Sequence, residues 1–300
     1  MKEKAQVDAK TKAVFDRKGY QVEYKISEGA FGQVYTARNV KRNETDAVKV
    51  MDLGKLSENF KSKFLTREIM TLIKVRHPNV LRIYDIFRSA QHVYIFMEFA
   101  PNGTLSTQVK NAPDGFLTES KSKFWFRQCV EALECMHVQH KICHRDIKVD
   151  NVLLDNDMNA KLSDFGFAKE VPVNGNGGQG SGGGGGTGHF ALSTTFCGTE
   201  PYFAPEIVMH KAYDPFSADV WAMGVLLYVM LNGRFPFHFR EMHKNRDVML
   251  KEQRNHGYEF RPEAAGKLSA EVKDALARMM TFESEKRPNI QSVRKFPWLR

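Results

Sequence analysis

Cysteine is scarce in this chain, and a long uninterrupted hydrophobic run is missing. The 300 residues include four cysteines, none of them in a C-x-x-C pair. That pair is the usual start of a small zinc site, and disulfide frameworks are dense in cysteine and short. The cysteine usage therefore predicts neither a zinc site nor a disulfide scaffold, and it favours the reducing cytoplasm.

The chain also opens without the apolar core of a secretory signal, because its first residues, M-K-E-K-A-Q, are charged. Its most hydrophobic stretch, residues 220–231, is apolar all round but too short and interrupted to span a bilayer. It predicts a buried core helix, and residues 124–137 show a second helical pattern. We expect a cytoplasmic protein that does not bind membranes.

Acidic residues are outnumbered by basic ones. The chain has 35 Asp and Glu against 44 Lys and Arg, a net charge of +9. Such a charge raises the alternative of nucleic-acid binding, but the basic residues are spread along the chain and accompany no nucleic-acid motif. A solvated basic surface is the better interpretation and predicts no nucleic-acid partner, while a salt-sensitive acidic partner stays open.

Two short motifs carry the chemistry. Positions 144–151 read H-R-D-I-K-V-D-N, and D-F-G follows at positions 164–166. Phosphoryl transfer needs a carboxylate that orients the acceptor hydroxyl and oxygen ligands for the Mg²⁺ ions on the phosphates of ATP. Asp146 suits the first task, and Asn151 and Asp164 suit the second. A lone H-R-D is usually a surface turn, but eight matched positions followed by D-F-G indicate a phosphoryl-transfer site.

A glycine hairpin precedes these motifs. Strand-like residues flank S-E-G-A-F-G-Q-V at positions 27–34. Gly29 and Gly32 allow backbone N–H groups to approach phosphate oxygens. Ser27 replaces the first glycine of the G-x-G-x-x-G pattern, and we expect ATP binding to survive the replacement.

One lysine lies in the apolar strand-like run at positions 46–51. Burying an unpaired ammonium is costly, so Lys49 needs an anionic partner. The α- and β-phosphates and a helix glutamate would supply it. Glu68 is the candidate, because residues 64–73 show one apolar helical face. The alternative for Glu68 is an ordinary solvated carboxylate.

With these motifs in this order, the chain resembles a eukaryotic protein kinase over nearly its whole length. A-P-E at positions 204–206 and D-V-W-A-M-G at positions 219–224 match further landmarks of the family. The resemblance implies that Arg287 pairs with the A-P-E glutamate for structural reasons. Lys148 and Thr199 stand where serine/threonine kinases, rather than tyrosine kinases, have these residues. The implied reaction moves the γ-phosphoryl group of Mg-ATP to a protein hydroxyl, with Lys148 assisting Asp146.

Four segments narrow the resemblance. They are V-F-D-R-K-G-Y at 14–20, K-F-L-T-R-E-I at 63–69, K-L-S-D-F-G-F at 161–167 and A-L-S-T-T-F-C-G at 191–198. Together they resemble the testis-specific serine kinases, which belong to the calcium/calmodulin-dependent-kinase-like group.

The order of strands first and helices later predicts an α+β, two-lobed kinase fold. Strand-like runs occur at residues 22–26, 34–37, 46–51 and 93–97. The expected parts are an N-terminal charged segment (1–19), a β-rich N-lobe with one regulatory helix (20–100) and a mainly helical C-lobe (101–300). The activation segment, 164–206, contains a glycine-rich insert at 174–188, which predicts a flexible surface coil.

The resemblance also implies which residues surround the nucleotide. Met97 takes the gatekeeper position, and backbone groups of Glu98 and Ala100 are expected to bond the adenine edge. The full set of expected nucleotide contacts is Ser27, Gly29, Gly32, Val34, Ala47, Lys49, Met97, Glu98, Ala100 and Leu153.

Thr195 is the expected regulatory phosphosite, because it lies four residues before Thr199. A phosphate there would accept charge-assisted bonds from Arg145 and Lys169 and order the loop. It would come from an upstream kinase or from autophosphorylation. The alternative is that Thr194 and Thr195 are simple polar loop residues.

A competing function is a pseudokinase, which binds nucleotide as a scaffold without transferring phosphate. Loss of a residue needed for transfer would indicate it, but all four are present: Lys49, Asp146, Asn151 and Asp164. A basic nucleic-acid-binding module is the third alternative, and it would show salt-dependent binding without ATP hydrolysis.

Overall fold

A computed structural model of the chain describes residues 5–29, 32–55, 73–172, 191–238 and 246–300. The backbone forms two compact units, Met1–Pro101 and Asn102–Arg300. The predicted regulatory helix with Glu68 and the glycine-rich insert lie outside the described residues.

The smaller unit is built on a five-stranded antiparallel sheet. Its strands are β1 (Tyr20–Gly29), β2 (Gly32–Asn39), β3 (Glu44–Asp52), β4 (Ile83–Arg88) and β5 (His92–Glu98). They lie in the order β1-β2-β3-β5-β4. All four strands predicted from the sequence lie within these elements, because short apolar runs between turn residues favour half-buried strands.

Helix α1 (Ala9–Arg17) packs against this sheet. The side chain of Asp8 caps its first turn. Phe15 is fully buried, and its ring centroid lies 6.1 Å from that of Phe96 and 6.5 Å from that of Tyr94. A segment that the sequence predicts only as charged therefore contributes an aromatic side chain to the core.

The larger unit is mainly helical. Its helices are α2 (Leu105–Lys110), α3 (Glu119–Glu134), α4 (Pro205–Val208), α5 (Pro215–Asn232), α6 (Arg246–Arg254), α7 (Pro262–Ala265), α8 (Ala270–Met279) and α9 (Ile290–Arg294). A π-helical turn, Cys135–Gln139, continues α3. Two short strand pairs join β6 (Ile142–Cys143) to β9 (Lys169–Glu170) and β7 (Val152–Leu154) to β8 (Ala160–Leu162). A sheet in one unit and helices in the other confirm the predicted α+β class.

Helix α5 is the core helix of the larger unit. Asp214 caps its start by accepting the N–H of Phe216 at 2.9 Å, and Gly233, with a φ of +66°, follows its last turn. Its 18 residues have a mean hydropathy of 1.2, so by length and composition it is able to cross a membrane. The expectation that this stretch is too short for a span is therefore wrong. The predicted core helix is confirmed, because 89% of it is buried inside the protein.

Candidate active site

Asp219, in the first half of α5, holds the catalytic loop. It is 1% exposed, and its carboxylate accepts the backbone N–H groups of His144 at 2.7 Å and Arg145 at 2.8 Å. The ring of His137, from the π-helical turn, lies 2.9 Å from the same carboxylate. Three hydrogen bonds satisfy this buried charge without water. They also stabilise the left-handed backbone of Arg145, whose φ is +64°.

The carboxylate of Asp146 is the centre of the site and is itself buried. Its Oδ1 accepts the hydroxyl of Thr199 at 2.6 Å. Its Oδ2 lies 2.8 Å from the Lys148 ammonium and accepts Nδ2 of Asn151 at 2.9 Å. Lys148 also donates to the Thr199 hydroxyl at 2.8 Å. These four side chains form one network, and Thr199 is a member that the predicted site residues do not include.

Ser163 connects this loop to the D-F-G motif. Its N–H and its hydroxyl donate to the carbonyl oxygen of Asn151 at 2.8 and 2.9 Å. Its own carbonyl oxygen lies 2.9 Å from Nε2 of His144. Asp164 follows directly, with an exposed side chain and a φ of +57°. The two predicted metal ligands, Asn151 and Asp164, therefore come from hydrogen-bonded neighbouring segments.

The sheet of the smaller unit collects predicted nucleotide contacts on one face. Val34 and Ile95 lie opposite Lys49 in the two neighbouring strands, and Ala47 lies opposite Met97. Residues directly opposite each other, and residues two apart along a strand, project from the same face. Four predicted residues therefore share this face with Ile95, which the prediction lacks. Ala47 is buried, whereas Lys49 and Met97 are half-buried.

The remaining predicted contacts lie in or beside strands: Ser27 and Gly29 in β1, Gly32 in β2, Glu98 in β5, Ala100 two residues beyond it and Leu153 in β7. Gly32 has a structural role as well. A Cβ added there would lie 2.8 Å from the Cα of Met51 on the neighbouring strand. Close strand pairing therefore requires a glycine at this position.

Gly198 brings the end of the activation segment against the catalytic loop. Its φ is +113°, and an added Cβ would lie 2.6 Å from the carbonyl oxygen of Arg145. Only glycine accepts both this backbone conformation and this approach. The next residue, Thr199, thereby reaches the Asp146 carboxylate.

The guanidinium of Arg145 is buried and incompletely paired. Its Nε donates to the carbonyl oxygen of Phe167 at 2.7 Å, but Nη1 and Nη2 have no hydrogen-bond partner in the described ranges. Lys169 lies in β9, which pairs with β6 just before the catalytic loop. Thr195 has an exposed side chain, and its carbonyl oxygen accepts the Tyr213 hydroxyl at 2.9 Å. Burial raises the pKa of Tyr213, so this hydroxyl remains a donor.

A second buried ion pair fixes the A-P-E motif. Nη1 and Nη2 of Arg287 lie 2.9 and 3.2 Å from the carboxylate oxygens of Glu206. Arg287 also donates to the carbonyl oxygens of Ser217 at 2.8 Å and Thr281 at 3.1 Å. This is the structural pair that the family resemblance implies.

Known proteins with similar sequences support the same assignment. The family described as "Protein kinase domain" matches residues 20–299. Testis-specific serine/threonine-protein kinase 3 of Homo sapiens is 36% identical over 282 residues, covering 94% of this chain and 96% of that protein. Testis-specific serine/threonine-protein kinase 2 of Mus musculus is 34% identical over 288 residues, covering 96% and 75%.

The similarity extends beyond the testis-specific kinases. CBL-interacting serine/threonine-protein kinase 12 of Arabidopsis thaliana is 32% identical over 284 residues, covering 94% of this chain and 52% of that protein. These matches confirm the expected resemblance to the testis-specific kinases and their wider group. The chain belongs to the protein kinase family and is a protein serine/threonine kinase.

Proposed function

We propose that this kinase transfers the γ-phosphoryl group of Mg-ATP to serine or threonine hydroxyls of protein substrates in the cytoplasm. The hydrogen-bond network of Asp146 is the observation that carries the proposal. Thr199 and Asn151 fix the carboxylate, so a substrate hydroxyl that donates to it is oriented for attack. Lys148, 2.8 Å from the carboxylate, places a positive charge beside the reacting groups.

The residues present fit Mg-ATP, because Mg²⁺ prefers oxygen ligands. Asn151 donates to Asp146 through Nδ2, which leaves its amide oxygen as a ligand. Asp164 adds an exposed carboxylate. Bound Mg-ATP supplies the phosphoryl group that is transferred. In this proposal Lys49 binds the α- and β-phosphates, and Glu68 is its counter-ion.

Label transfer from γ-labelled ATP to a generic basic protein tests the proposal. We expect labelled protein with Mg²⁺ and none after chelation by EDTA. Lys49→Met is expected to remove most of the transfer, because it deletes the ammonium that positions the phosphates. A folded wild-type protein that binds ATP but labels neither itself nor any basic, acidic or neutral protein offered would be a pseudokinase and would contradict the proposal.

The cytoplasmic location is supported by the four cysteines, which are all free thiols. Burial raises the pKa of the Cys129 thiol to about 12, so this thiol stays protonated and unreactive. Fractionation of cells that express the tagged chain is expected to recover it in the cytosol. Recovery in a secretory compartment would contradict the location.

Phosphorylation of Thr195 is proposed as the activating step. The phosphate would offer oxygens to Nη1 and Nη2 of Arg145, the buried donors without a partner in the described ranges. Lys169 would add a second cation. Charge-assisted bonds of this kind order a loop when the phosphate forms and release it when the phosphate is removed. An upstream kinase or a second copy of this enzyme would supply the phosphate.

Thr195→Ala is expected to lower the activity of enzyme purified from cells by about tenfold or more, since one charge-assisted hydrogen bond contributes that much. Kinase assays and mass spectrometry of the activation segment measure the effect. Thr194→Ala is the matched control, because Thr194 is also exposed. Full activity of Thr195→Ala, together with no phosphate on Thr195 in the wild type, would contradict this regulation.

Gly198→Ala is expected to lower kcat/KM by on the order of 100-fold, because a shift of about 1 Å at a reacting group has an effect of that size. The added methyl group would push Thr199 away from Asp146. Gly266→Ala is the matched control, since an added Cβ there meets nothing within 4 Å. Wild-type activity of a folded Gly198→Ala variant would show that this close approach is dispensable.

A further inference from the structure

A cavity of about 620 Å³ lies within the larger unit. Its walls come from the π-helical turn, Leu192, the start of α5 and the turn before α9. Small-molecule sites have volumes of roughly 300–1,000 Å³, so a compact ligand fits. None of the side chains that bond Asp146 lines this cavity.

The π-helical turn forms one wall. It carries His137 and Val138, which both line the cavity. A π-helical turn interrupts the regular hydrogen bonding of a helix, and such turns occur frequently at functional sites. Leu192, 62% exposed, adds a large apolar side chain at another wall.

His137 supplies a polar group to this cavity. Its side chain is 6% exposed, and Nε2 lies 2.9 Å from the carboxylate of Asp219. A carboxylate accepts hydrogen bonds, so the proton of the neutral imidazole is assigned to Nε2, and Nδ1 keeps a lone pair. The parts of the chain that the structure describes offer Nδ1 no donor. Buried acceptors normally have a partner, which suggests that a ligand provides it.

The other lining groups select a neutral aromatic ligand. The ring of Phe216 is half-buried, and its centroid lies 4.7 Å from that of His137. Aromatic rings pack favourably against such a surface. The lining includes two carboxylates, Asp214 and Glu285, and two cations, Lys141 and Arg287. Equal numbers of both signs favour neither an anion nor a cation.

We propose that this cavity binds a small neutral aromatic molecule with one hydrogen-bond donor, of the phenol or indole type. The donor binds Nδ1 of His137, and the ring packs on Phe216 and the apolar side chains around it. Nothing in this assignment depends on the kinase reaction.

Occupancy of the site is coupled to the catalytic loop. A hydrogen bond at Nδ1 polarises the imidazole and strengthens the Nε2–H bond to Asp219, because hydrogen bonds in a chain reinforce one another. Asp219 in turn holds the N–H groups of His144 and Arg145. Contact with Leu192 adds a direct effect on the activation segment. This coupling rests on the proposed function, and we expect saturating ligand to change kcat at least twofold.

Phenol, indole and toluene are the probes, and ligand-observed NMR with thermal-shift titration measures their binding to the full chain. We expect saturable binding of phenol and indole, with toluene roughly fivefold weaker because it lacks the donor. Val138→Trp fills the cavity and is expected to abolish binding. Leu192→Ser is expected to weaken it several-fold, whereas Phe124→Ser, at a residue 51% exposed and outside the cavity, leaves it unchanged.

A second variant isolates the hydrogen bond. His137→Phe keeps a ring but has no acceptor, so phenol and toluene are expected to bind it equally. Failure of both phenol and indole to saturate wild-type protein would overturn the site, as would binding that survives Val138→Trp. Equal affinity of wild type for phenol and toluene would overturn the role of His137. Binding of N-acetyl-tryptophanamide without binding of indole would indicate a docked protein side chain and overturn the small-ligand assignment.

The kinase assay is a separate arm. An unchanged kcat at saturating indole would overturn the coupling to Asp219. An enzyme that transfers no phosphate under any condition would contradict the proposed function, while the NMR titrations would still decide whether the cavity binds the aromatic probes.

Discussion

Asp164→Asn is expected to reduce phosphoryl transfer by roughly 1,000-fold or more, because a metal ion contributes several kcal/mol of transition-state stabilisation. The substitution replaces a charged ligand by a neutral amide of nearly the same volume. Asp164 is exposed and has a φ of +57°, a conformation that asparagine tolerates. We therefore expect a folded protein that lacks activity rather than an unfolded one.

Single-turnover transfer from labelled ATP measures this loss, with circular dichroism as the check on folding. Asp157→Asn makes the same chemical change at an exposed turn and is expected to keep wild-type activity. Transfer by Asp164→Asn within tenfold of the wild-type rate would remove Asp164 from the proposed metal site.

The parts of the site that lie close together in sequence were predictable. Asp146, Lys148 and Asn151 share one short loop, so their spacing alone brings them together. The strand with Lys49 was also predictable, because one charged residue in an apolar run indicates both a strand and a functional lysine.

Long-range contacts were not predictable in the same way. The hydroxyl of Thr199 bonds a carboxylate 53 positions earlier in the chain, and His137 meets Asp219 across 82 positions. Local periodicity carries no information about such pairs. Thr199 was visible as a kinase-type marker, but its contact with Asp146 required the fold.

Local charge also concealed two features. The first helix was predicted only as a charged segment, because its lysines hide the single buried stripe that ends in Phe15. The core helix was judged too short because the apolar run was counted from residue 220. Its helix signals lie further out, with a capping aspartate at position 214 and a glycine at position 233.

Removing the charge of Arg287 is expected to cause one of the largest losses of stability in the larger unit. The Arg287 side chain is 0% exposed, and that of Glu206 is 9% exposed. Arg287→Met leaves this carboxylate buried without a counter-charge and removes donors from two backbone carbonyls. Breaking one side of a buried pair typically costs about 3–5 kcal/mol. Urea unfolding followed by tryptophan fluorescence measures it, because all three tryptophans lie in this unit: Trp125, Trp221 and Trp298.

The double variant Glu206→Leu/Arg287→Met separates charge from packing. It buries no unpaired charge, so it is expected to be more stable than Arg287→Met alone by about 2 kcal/mol or more. It should not reach wild-type stability, since the carbonyls of Ser217 and Thr281 remain without their donor. Lys267→Met breaks an exposed pair with Asp114, 3.5 Å long, and is expected to change stability by about 1 kcal/mol or less. Equal losses for Arg287→Met and Lys267→Met would show that burial of the Glu206 pair does not decide its contribution.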